Sequence, residues 1–106
     1  MNSLLYPPFP VLIIDDEEQA LKSFEITLRT SSITNITCCS DSRNVMDILY
    51  SQQPDVILLD LFMPHISGEE LLSKITHNFP GIPVIIVTGT NEVETAVKCM
   101  KSGAFD

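Results

Sequence analysis

Four short apolar runs, Val11–Ile14, Ile36–Cys39, Val56–Leu59 and Val84–Val87, recur along the chain with helical patterns between them. Three of the runs are continuous rather than alternating. A strand with one face in water alternates polar and apolar residues, so an unbroken run marks a strand covered on both faces. The stretches between carry stripes: Leu21, Phe24 and Leu28 in a first helix, and Val45, Ile48 and Leu49 in a second. Leu71, Leu72, Ile75 and Phe79 mark a third, and Val93, Ala96, Val97 and Met100 a fourth. Spacing of i, i+3, i+4 and i+7 places each set on one side of its helix. Buried strands alternating with such helices build a parallel sheet with right-handed crossovers and helices on both faces. The expected class is α/β, a doubly wound parallel sheet.

Punctuation agrees with this division. Asp41 or Ser42 can cap the second helix and Ser67 the third. Pro54, Pro80 and Pro83 fall between elements, and Gly103 follows the fourth helix where a left-handed cap is common. Pro7, Pro8 and Pro10 make residues 1–10 an extended lead-in, and without a basic start it does not read as a secretory signal. Residues 11–106 form one domain, consistent with a length of 106 residues. The sequence given ends at "KSGAFD", where another strand is expected to begin, so the sheet is expected to have four strands with the fifth strand and its helix absent.

Composition removes several classes. Fourteen acids against six bases give a net charge of −8, which repels phosphate backbones, so this domain is not expected to bind nucleic acid directly. No run approaches the ~18 apolar residues of a membrane span. Cys38, Cys39 and Cys99 have no CxxC spacing, and with only His65 and His77 beside them they make neither a zinc site nor a disulfide framework. Free thiols in a reducing cytoplasm are expected, with Cys38 and Cys39 facing opposite sides of their strand.

The acids are gathered. In open parallel sheets, ligands collect at the carboxyl ends of the strands. Strand one ends "LIIDDEE", with Asp15 and Asp16 at its tip; strand three ends in Asp60; strand four leads into Thr88. In the flavodoxin-like order 2-1-3-4, strands one and three are neighbours and the three carboxylates converge. At ~4 Å and an effective dielectric near ~20, each like pair costs about 4 kcal/mol before relaxation. Such a cluster persists when a cation neutralises it or one acid takes a proton. Oxygen ligands suit Mg²⁺, which keeps waters and bridges carboxylate to phosphate, and a carboxylate beside it can attack phosphorus. Thr88 and the backbone of the Gly89 turn supply donors for a phosphoryl oxygen. Simpler roles exist singly: Asp15 or Asp16 can cap the first helix, with Glu18 completing a capping box from Asp15, and Asp60 can be a loop-start acid. His65 is expected in a solvated loop.

The pieces "VLIIDDEEQAL", "PDVILLDLFMPHISGEELL", "PVIIVTGT" and "AVKCMKSGAFD" together resemble the receiver domain of bacterial two-component response regulators, most of all receivers fused to AAA+ transcription activators. The resemblance implies that Asp60 is the phosphoacceptor, taking a phosphoryl group from a sensor histidine kinase. It implies that Asp16 binds Mg²⁺ directly, that Asp15 assists partly through water, and that the backbone carbonyl of Phe62 is a further ligand. Thr88 would bond the phosphoryl group, Pro64 and Gly68 would shape the loop after the acceptor, and the switch would act on an output domain or a homodimer partner. Gly89 stands where many relatives carry alanine. The family's lysine and switch aromatic are expected beyond Asp106, so a chain ending there is expected to be phosphorylated poorly or not at all.

Two other readings share this chemistry. A Mg²⁺-dependent phosphatase of the haloacid-dehalogenase kind also uses an aspartyl nucleophile, but needs an acid two residues later, where Phe62 stands. A receiver-like interaction module that is never phosphorylated usually lacks one of the acids, and all three are present here.

Overall fold

The computed structural model describes residues 5–87. Strand β1 spans Val11–Ile14, helix α1 Glu18–Thr30, strand β2 Ile36–Cys39, helix α2 Val45–Ser51, strand β3 Val56–Leu59, helix α3 Gly68–Asn78 and strand β4 Val84–Ile86. A short 3-10 turn, Ser42–Asn44, precedes α2. The fourth helix expected around Val93, together with Thr88, Gly89, Cys99 and Gly103, lies outside the described residues.

The strands pair in the order β2-β1-β3-β4, all parallel. The register sets Val11 beside both Ile36 and Val56, and Ile14 beside both Cys39 and Leu59. Because side chains alternate across a strand, the central pair divides its residues between two layers. Val11, Ile13, Val56 and Leu58 join Leu21, Phe24 and Leu28 of α1 on one side. Leu12, Ile14, Ile57 and Leu59 join Val45 and Leu49 of α2 and Leu71, Ile75 and Phe79 of the α3 region on the other. Every residue of β1 and β3 is buried, which is why those two runs are unbroken.

The outer strands differ from the continuous pattern. Residues 84–86 of β4 are only half-buried, and β2 buries Cys39 alone while Cys38 is exposed. Both stand at the ends of the strand order, where, among the described residues, one long side has no strand beside it. The lead-in is tied down: the carbonyl of Tyr6 accepts from the N–H groups of Thr34 and Asn35, and Asn35 Nδ2 donates to the carbonyls of Pro7 and Pro8.

Of the three helix starts only that of α3 follows the expected chemistry; α2 begins at Asn44 with no side-chain cap bond, and the cap expected of Asp41 serves the 3-10 turn before it. Ser67 caps α3, its hydroxyl accepting from Glu70 N–H, and Asp41 caps the 3-10 turn, accepting from Arg43 N–H. Helix α1 instead has Glu17 at its N-cap with no side-chain bond. The capping box from Asp15 to Glu18 does not form, because the Asp15 carboxylate turns back to accept from Glu17 N–H two residues on.

Candidate functional site: an acidic cluster at the strand tips

The site grows out of the two central strands. Beyond the last paired residues, Asp15 N–H donates to the Cys39 carbonyl at 3.1 Å and Asp60 N–H to the Ile14 carbonyl at 3.0 Å. The ladder therefore continues one residue past the apolar runs and ends on the acids. This is why a segment built for burial terminates in a carboxylate: the backbone is still held by the sheet while the side chain has reached its rim.

One carboxylate oxygen from each of Asp15, Asp16 and Asp60 lies within 4.8 Å of the other two. Asp15 is buried, while Asp16 and Asp60 are half-buried. Asp15 Oδ1 accepts from Glu17 N–H at 3.0 Å, and Asp60 Oδ1 accepts from Phe62 N–H at 3.2 Å. Burial pushes the Asp15 carboxyl up to about 6; the Glu17 N–H bond opposes the rise, while the charges of Asp60, Asp16 and Glu17 add to it. An acid crowded by two others in a desolvated rim resists ionisation, and a cation removes that resistance. The donor set is all oxygen, with remaining faces open to solvent, and such a set can hold a hard divalent ion.

The loop after the acceptor-side strand is tightly built. Gly68 is buried against it, donating to the Leu61 carbonyl at 3.0 Å. A Cβ at this position would collide with the Leu61 Cα and the Asp60 carbonyl oxygen, so glycine lets α3 start directly beneath the acid. Phe62 is 77% exposed, an apolar ring left beside a charged site. His65 is exposed, as expected of a loop residue, and sits at φ 67°. A groove of about 510 Å³ between Phe9, Gln53, Pro54 and Ile82 lies at the opposite, amino end of the strands, away from every acid of the cluster.

Of the residues singled out in the sequence, the structure brings Asp15, Asp16 and Asp60 together and sets Phe62 beside them, while Thr88 lies outside the described residues. Sequence reasoning placed Ser42 as a possible cap. The structure instead buries it, with its hydroxyl reaching the loop after Asp60. Its partners are 22 and 24 residues away, beyond the reach of any local pattern.

Comparison with known proteins gives the same picture. Residues 11–106 match the family described as response regulator receiver domain. The probable transcriptional regulatory protein TcrX of Mycobacterium tuberculosis is 32% identical over 93% of this chain and 42% of its own length. The DNA-binding transcriptional regulator NtrC of Escherichia coli is 34% identical over 91% of this chain and 20% of its own length. The chain thus spans less than half the length of these curated relatives. A response regulator receiver domain protein from Clostridium thermocellum has a TM-score of 0.69 at 30% identity, covering 90% of this chain and 76% of that one. A CheY-like receiver domain protein from Methanospirillum hungatei gives 0.70 at 26% identity, covering 95% and 77%. With a parallel sheet of order 2-1-3-4 carrying three acids at its rim, the chain belongs to the response regulator receiver domain family, the phosphoacceptor modules of two-component signalling.

Proposed function

We propose that Asp60 of this chain is the phosphoacceptor, that Asp15, Asp16, Asp60 and the backbone carbonyl of Phe62 hold Mg²⁺, and that Thr88 bonds the transferred group. The observation that carries the reading is the convergence of three carboxylate oxygens within 4.8 Å at the carboxyl ends of two adjacent strands. Of the three acids, Asp60 follows the central strand β3 and begins the loop toward α3, with one oxygen engaged by Phe62 N–H. That bond orients the carboxylate. An Asp60 oxygen attacks the phosphorus of a sensor kinase's phosphohistidine. The new P–O bond forms as the P–N bond breaks, and the electron pair leaves on the imidazole nitrogen, which takes a proton. The product is an acyl phosphate on Asp60. Mg²⁺, when bound, neutralises the charge of the acids and of the incoming phosphoryl oxygens.

Because the step consumes the chain's own side chain, the chain acts as a signalling acceptor with self-catalysed transfer and hydrolysis rather than as a turnover enzyme. The apolar Phe62 supports this, since an aspartyl phosphatase needs an acid there. The transcriptional regulators among the relatives support an output domain under this switch, in the cytoplasm. Incubation with acetyl phosphate and Mg²⁺ tests the assignment: one phosphoryl group is expected on the wild-type protein and none on Asp60→Asn. Labelling that survives in Asp60→Asn refutes it.

A further inference from the structure

We propose that Ser42 is a positioning residue for the acceptor site, its hydroxyl setting the path of the loop that carries Phe62 away from Asp60. The inference rests on the acceptor reading above. Ser42 is 3% exposed, and its hydroxyl is used twice: it donates to the Pro64 carbonyl at 3.1 Å and accepts from Ile66 N–H at 3.2 Å. One side chain thus grips the loop on both sides of His65, the residue held in the left-handed region. A non-glycine residue pays for that conformation and keeps it only where its surroundings enforce it.

The brace is itself anchored. Ser42 opens the 3-10 turn capped by Asp41, whose carboxylate takes Arg43 N–H at 2.9 Å, Arg43 Nε at 3.0 Å and Arg43 Nη2 at 2.8 Å. Cys39 Sγ donates to the Asp41 carbonyl at 3.0 Å, and the Cys39 carbonyl receives Asp15 N–H. A continuous path therefore runs from Asp15 through Cys39, Asp41 and Ser42 to Pro64 and Ile66. On the far side, Gly68 N–H closes the loop onto Leu61, next to Asp60. The two acid-bearing strand ends are joined around the site by this ring as well as across it by the sheet.

Removing the hydroxyl frees the Pro64 carbonyl at an exposed residue, where water replaces the bond, and leaves the N–H of half-buried Ile66 without its acceptor, so part of the loss falls on stability and part on the loop. What loosens is the path of residues 61–67, and with it the Phe62 main chain. The test compares the full-length protein with Ser42→Ala, with Ser42→Cys, which keeps the shape but bonds weakly, and with Ile33→Val, a core change in the α1 layer remote from the loop. Mg²⁺ affinity is measured well below each melting temperature, together with the rate of labelling by acetyl phosphate. Ser42→Ala is expected to weaken Mg²⁺ binding about fivefold, the worth of one ordinary hydrogen bond, with Ser42→Cys intermediate and Ile33→Val within twofold of wild type. Should Ser42→Ala not fold, the shift in Ser42→Cys decides. Wild-type affinity and rate in Ser42→Ala, or in Ser42→Cys where that variant decides, overturn the brace while leaving the acceptor assignment intact. A wild-type protein that neither binds Mg²⁺ nor is labelled ends both.

Discussion

The main-chain N–H of Asp60 donates to the Ile14 carbonyl at 3.0 Å, one rung beyond the last residues paired between β1 and β3. That single bond places the end of one central strand against the tip of the other, where Asp15 and Asp16 begin. The sheet thereby forces together charges that solvent would keep apart.

The first consequence is a dependence of stability on pH. The folded Asp15 carboxyl titrates at about 6, against 3.8 for the unconstrained group. Between these values the folded protein holds a proton that the unfolded chain has released, so this group's contribution makes stability fall as pH rises through the window. Metal-free protein scanned by calorimetry from pH 4 to pH 7 should lose melting temperature accordingly. Asp15→Asn should flatten the slope and raise metal-free stability at pH 7 by about 1–2 kcal/mol. It keeps an oxygen able to accept from Glu17 N–H.

Gly68→Ala should destabilise the fold by about 1–3 kcal/mol, the usual cost of overpacking. The added methyl meets backbone at Leu61 and Asp60, which cannot swing aside as a side chain would. Urea unfolding measures the loss. Because the displaced backbone carries the acceptor, labelling of Asp60 should also slow.

Phe62→Asn should shorten the life of the phosphorylated state severalfold. The ring of Phe62, 77% exposed and two residues from Asp60, gives an attacking water no hydrogen-bonding partner. An amide there offers one. Decay of the acyl phosphate after removal of the donor, followed by intact mass, reads the difference directly.

Much of this was legible in the chain because burial writes itself into local pattern. Val11–Ile14 and Val56–Leu59 are unbroken since helices cover both their faces, and the Leu21, Phe24 and Leu28 stripe is the buried side of α1. The acids were legible because strand ends are where such sheets place ligands. Two features escaped. Asp15 reads equally well as a helix cap, and only the structure shows its carboxylate turned back to Glu17. Ser42 reads as a cap too, since its partners Pro64 and Ile66 are distant in sequence and a hydroxyl leaves no periodic trace.

The most direct measurement is a melting curve taken across a Mg²⁺ titration, for wild type and for the double variant Asp15→Asn with Asp60→Asn. Mutual repulsion of the rim carboxylates predicts that Mg²⁺ raises the wild-type melting temperature, by about 4–8 °C for each kcal/mol of binding, and leaves the double variant nearly unmoved. A wild-type protein indifferent to Mg²⁺, or a double variant stabilised just as much, would contradict the account.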